Sequence, residues 1–219
     1  MKRSQIYGVA LICGALAGVV VMIFHPTGHD LLAQSDEVAR RNEMITVAVH
    51  SLALAGTPVL IFGFFGLSRR LNFDRPLVSA AFIIYSFGSV AILCAAVASG
   101  LIAPTLTREI LTEDAPTQQL LHSIFYYNGL LNQGFAKVFV VASSVAVIFW
   151  SVALPNVGGL ARAVRIVGIV VGLLSLVALL SGHLRLNVHG FGLFVFAQTL
   201  WTVLVGALLC RSDDSMTGV

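Results

Sequence analysis

Histidine is the side chain in this sequence best suited to chemistry, and there are six: His25, His29, His50, His122, His183 and His189. A neutral imidazole is the commonest metal ligand, and its ordinary pKa lets it change charge near neutral pH. Three such nitrogens with one open position make a catalytic zinc arrangement, and the same donors suit copper or nickel. His25 and His29 lie four apart, but Pro26 and Gly28 argue against one helix presenting both. Asp30 and Glu43 are placed to complete or orient a ligand set. The chain contains no HExxH and no GxSxG, so neither a zincin site nor a nucleophile elbow is written in it. Ser51 and Ser123 each follow a histidine, yet neighbours on a helix point about 100° apart, so adjacency alone does not pair them.

Those histidines must be held by something, and composition says what. Of 219 residues, 58% are hydrophobic and only 11% are charged. A soluble domain carries roughly 25% charged residues, so this surface faces lipid. In lipid every backbone polar group needs an internal partner, which makes the long apolar runs helices. About 20 apolar residues cross a bilayer. The fold expected is an all-α, six-helix membrane bundle of one domain, with spans near 5–24, 44–67, 77–103, 120–153, 160–181 and 188–210. The fourth helix is expected to start early, near 115, because Asp114-Ala115-Pro116 reads as an N-cap followed by proline in the first turn. The first run is too long for a signal peptide and lacks a cleavage pattern, so it reads as a retained span.

Charge asymmetry orients the bundle. With both termini inside, Lys2, Arg3, Arg69, Arg70, Arg75, Arg162, Arg165 and Arg211 are cytoplasmic, against Arg40, Arg41, Arg108 and Arg185 outside. This is the N-in/C-in arrangement of a multi-pass cell-membrane protein, as in a bacterial inner membrane. The basic residues come in short groups at span ends and not in a stripe, so a nucleic-acid partner is not indicated despite the net charge of +3. The partners expected are the lipid bilayer and, beyond it, a second copy or a periplasmic protein. Cys13, Cys94 and Cys210 fall in or beside apolar runs with no CxxC spacing and read as small buried hydrophobes.

In this topology all six histidines fall at the outer face, with His50, His122 and His189 each near the outer end of an inward-running helix. On the fourth span Gln119, His122, Tyr126, Gly129, Gln133 and Lys137 share one helical face, expected to line a polar cavity with Lys137 deepest. Asn128 and Asn132 form a second line suited to interhelical hydrogen bonds. The leading expectation is therefore a transition-metal site of zinc, copper or nickel. Its ligands would come from His25, His29, His50, His122, His183 and His189, supported by Asp30, Glu43, Tyr126, Gln133, Lys137, Asn128 and Asn132. The alternatives are haem b held between two histidines such as His50 and His122, a proton-coupled solute transporter using the histidines and Lys137, a serine hydrolase, and an accessory subunit without catalysis.

Overall fold

A computed structural model describes residues 2–26, 36–156 and 158–211. Every regular element among them is helical: α1 (Arg3–Ile23), α2 (Asp36–Arg70), α3 (Pro76–Val97), a π-helical segment (Ala98–Ile102), α4 (Ala103–Thr112), α5 (Ala115–Ala153), α6 (Gly159–Leu180) and α7 (Val188–Cys210). The π segment joins α3 and α4 into one rod, Pro76–Thr112, which leaves six helices long and apolar enough to cross a membrane. They pack as a closed ring in chain order: α1 on α2, α2 on α3, α3 on α5, α5 on α6, α6 on α7, and α7 back on α1. Each helix thus buries one stripe against its two neighbours and turns the rest of its apolar surface outward.

The two ends of the ring differ. At the end carrying Arg69, Arg70, Arg75 and Arg165 the core is filled. Phe64 stacks on Trp150 with ring centres 4.7 Å apart, and Trp150 stacks on Trp201 at 6.3 Å. Both indoles are fully buried and both are satisfied: Trp150 Nε1 donates to Ser68 Oγ at 2.9 Å and Trp201 Nε1 to the Val164 carbonyl at 3.2 Å. Arg75 and Arg165 donate to the carbonyls of Ala153 and Leu154, the orphan acceptors at the close of α5. Cations there also match the negative end of the helix dipole.

At the other end three elements overshoot. α5 has 39 residues and α7 has 23, so at 1.5 Å per residue they measure about 58 and 35 Å. α2 and the α3–α4 rod match α5, and the three project roughly 20 Å beyond their neighbours. The expected spans leave 25–43 and 104–119 between them as connections. In the described residues much of this is helix: α2 already begins at Asp36, and α4 occupies Ala103–Thr112. Two local features explain it. Asp114 Oδ1 accepts from Thr117 N at 3.1 Å and starts α5 as the motif implied. Pro104 has no amide hydrogen for the Gly100 carbonyl, and the wider π turn just before it accommodates both the missing donor and the ring, so the rod bends instead of ending.

Candidate functional site

Between the filled core and the projecting helices lies a cavity of about 400 Å³. Its polar wall is His25 just beyond α1, His50 of α2, Ser99 of the π segment, Asn132 and Gln133 of α5, and Asn187 and His189 at the start of α7. His50 lies 20 residues before Arg70, roughly 30 Å along α2, which is the thickness of a hydrocarbon core. The cavity therefore sits where the chain passes from apolar to polar surroundings.

His50 is the best-fixed group in it, with 4% of its surface exposed. Nδ1 lies 2.7 Å from the Thr46 carbonyl. A carbonyl can only accept, so Nδ1 carries the hydrogen and the neutral ring presents its lone pair at Nε2. That lone pair faces Ser99 Oγ at 2.8 Å, and Ser99 Oγ is also 2.8 Å from the Ala95 carbonyl. The hydroxyl has one hydrogen and two acceptors in reach, so it can donate to Nε2 or turn to Ala95. The close approach of α2 to the π segment depends on Gly100, where a Cβ would overlap His50 Cβ and Cγ.

His25 repeats the arrangement. Its Nδ1 is 3.0 Å from the Pro26 carbonyl, which fixes the same tautomer and puts the lone pair on Nε2. Burial lowers its pKa below the ordinary 6.5, outweighing the opposing pull of that hydrogen bond, so the ring is held neutral. The two imidazoles meet edge to face with ring centres 4.9 Å apart. His189 is more exposed and lines the same cavity as well as a lateral opening between α1 and α7, where it again shares the wall with His25.

The remaining residues singled out from the sequence fall in different places. Gln133 Nε2 donates to the Leu186 carbonyl at 2.8 Å and Asn132 lines the cavity. Asn128 is buried and donates to the Ala98 carbonyl at 2.9 Å, tying α5 to the π segment. His122, Tyr126 (70% exposed) and Lys137 lie on the outside of α5, His183 sits in the α6–α7 turn bonded to Ser181 Oγ at 2.8 Å, and none of them lines this cavity. Glu43 is half-buried on the projecting part of α2, outside the cavity wall. His29 and Asp30 lie outside the described residues. Height and rotation together explain the split: His122 lies about 16 Å before Gln133 on the projecting part of α5, and lower down small buried residues such as Ala136, Ala142, Ser143 and Ala146 let α5 lie close against α3 at Gly88, where a Cβ would stand 2.6 Å from that of Ala142. Close backbone packing, not the polar stripe, chooses the inward face.

Ser99 was not singled out from the sequence, although Gly100 and Pro104 beside it signal a special backbone. Among the described residues no three His, Cys, Asp or Glu side chains stand together as a complete metal cluster. The arrangement offers two oriented imidazole lone pairs, a serine hydroxyl on one of them, and three carboxamides, all in one hollow. No protein-family model matches the chain, and no curated protein or solved structure is significantly similar to it, so the geometry of this hollow is what speaks for the chain's activity.

Proposed function

We propose that the protein is a multi-pass cell-membrane protein, N-in and C-in, that binds a transition metal at its outer face through Nε2 of His25 and His50. The observation that carries this is the shared tautomer. Metal-bound histidines almost always donate the other ring N–H to a carbonyl or carboxylate, which aims and strengthens the ligating nitrogen. Both rings already do so, through Pro26 and Thr46. Two imidazoles on one tetrahedral ion, with metal–nitrogen bonds of about 2.0–2.1 Å, have ring centres roughly 5 Å apart. The observed 4.9 Å fits that spacing. For an ion to reach His50 Nε2 the Ser99 side chain must swing aside, because its oxygen stands 2.8 Å from that nitrogen and turning its hydrogen to the Ala95 carbonyl does not move it. His189, water or substrate takes the remaining positions. Zinc, copper and nickel all accept such donors. Haem b fits less well, since trans imidazoles on an iron stand farther apart and His122 is remote from His50.

The test is elemental analysis of detergent-purified protein. One ion per chain is expected, lost in the His25→Ala, His50→Ala double variant. An unloaded wild type, or full loading of that variant, refutes the assignment.

A second reading rests on Ser99 Oγ at 2.8 Å from His50 Nε2, with Thr46 holding Nδ1 at 2.7 Å. This is a serine with an adjacent, oriented base. In it Ser99 Oγ attacks an ester carbonyl, His50 takes the hydroxyl proton and returns it to the leaving alcohol, and water then frees the acyl group. A fluorophosphonate that labels Ser99 in the wild type but not in His50→Ala supports it, and absence of labelling removes it.

A further inference from the structure

Beneath the histidine cavity the ring encloses a second chamber of about 140 Å³. The two join at Val21, Met22, Ala53, Ile92 and Phe191, which line both. The lower chamber is almost wholly apolar, and Phe64 and Tyr85 of the aromatic stack lie at its base. The hydroxyls along it are turned back onto main-chain carbonyls: Thr57 to Ala53, Thr202 to Gln198, Ser143 to Phe139, and Thr199 to Ala15 of the neighbouring α1. One group is not accounted for. Gln198 Nε2 is buried in this wall with no hydrogen-bond partner among the described residues. It lies ten residues into α7, about 15 Å along the helix and near its middle. An unmet amide donor in an apolar interior is costly, so it marks where an acceptor belongs.

The histidine cavity above it also has a side door. Met22, Ile23, His25, His189, Leu193 and Phe196 line an opening between α1 and α7, and Ile23, Leu193 and Phe196 are exposed to lipid around it. Met22 lies on all three hollows. A molecule leaving the bilayer sideways thus passes His25 and His189 and finds an apolar shaft below.

We propose that the chamber holds the chain of a membrane amphiphile, an alkyl or isoprenyl tail joined to a carbonyl group that accepts from Gln198 Nε2, with the polar remainder in the histidine cavity. Two sources carry this chemistry, acyl esters and isoprenoid quinones. Polar lipid heads suit the carboxamides of Asn132, Gln133 and Asn187, and the apolar lining of the chamber suits a hydrocarbon chain. The proposal does not depend on a bound metal.

The test uses the full chain in lipid nanodiscs and two diazirine probes, a long-chain acyl ester and the matching hydrocarbon. The ester is expected to crosslink residues around Gln198 on α7. Gln198→Leu, close in size, should lower ester labelling about five-fold and leave the hydrocarbon unchanged, which corresponds to about 1 kcal/mol at 1.4 kcal/mol per tenfold. Ala53→Phe, at the throat, should abolish labelling by both. Competition by a short-chain quinone assigns a quinone, and competition by phospholipid assigns an acyl ester. Equal labelling of wild type and both variants, or labelling confined to lipid-facing positions such as Phe87 and Leu174, overturns the proposal. Metal content measured on the same samples tells its failure apart from failure of the metal reading.

Discussion

Gly100→Ala adds one methyl group where α2 meets the π segment, and its cost follows from the contact. The new Cβ overlaps His50 Cβ and Cγ and comes within 2.9 Å of Cδ2. Backbone-fixed atoms on both sides leave no rotamer that escapes, so the two helices must separate by on the order of 1 Å to reach ordinary contact. A shift of that size carries the His50–Ser99 hydrogen bond from 2.8 Å past the useful limit. Overpacking costs about 1–3 kcal/mol, and a buried ring nitrogen left unmet costs about 1–3 kcal/mol more. A loss of roughly 2–6 kcal/mol is expected, or about 4–24 °C in Tm at about 2–4 °C per kcal/mol for a chain of this length. Differential scanning fluorimetry in detergent reads the stability, and the ¹⁵N shift of His50 Nε2 reads the bond. The His50→Gly background removes Cβ, Cγ and Cδ2 together, so Gly100→Ala should cost less there by on the order of 1 kcal/mol or more. Additive effects of the two substitutions, or an unchanged Nε2 signal in Gly100→Ala, would refute the contact as the cause.

Three other outcomes follow from the same geometry. Because burial depresses the His25 pKa below 6.5, protons compete with metal there only at lower pH; occupancy should stay level down to about 6.5 and fall below it, and an onset above that value speaks against His25 as a ligand. The sign for stability agrees, since below 6.5 the unfolded chain takes up its proton first and the folded state loses ground, a trend that His25→Gln should flatten. Ser68→Ala leaves the buried Trp150 Nε1 without its acceptor, and should cost about 1–3 kcal/mol in thermal unfolding without altering metal content. Joint replacement of His122 and His183 by alanine should leave metal content intact, because neither side chain reaches the cavity; loss of metal in that variant would move the site elsewhere.

The spans were legible because hydropathy over twenty residues needs only composition. Helices α6 and α7 end within a residue of the expected limits, and the Asp114 cap begins α5 where its motif implied. The helical extensions were not, since the polar stretches beyond the bilayer carry no apolar period and α4 is held by packing on α5. The cavity meets α2 near mid-length because that helix starts at Asp36, but its location at the close of α1 and the start of α7 could be read from where the histidines fall along the spans. Which side chains enter it could not. His50 and His122 stand near the starts of the expected spans, but measured from the Arg70 and Ala153 ends His122 rides about 16 Å higher, on the projecting part of α5, and that height separates a buried imidazole from an exposed one. Ser99 was hidden for a related reason: its direction depends on a π turn, which sequence marks only by Gly100 and Pro104.

The sequence has two tryptophans, and both belong to the stack beneath the chamber, their planes 18° apart. All indole absorption of the molecule therefore comes from one stacked pair with both rings fully buried. Near-ultraviolet circular dichroism of the intact protein is in effect an optical gauge of that floor, free of background from any other indole. A spectrum recorded while a ligand is titrated reports directly whether the base of the hollow stays shut or loosens.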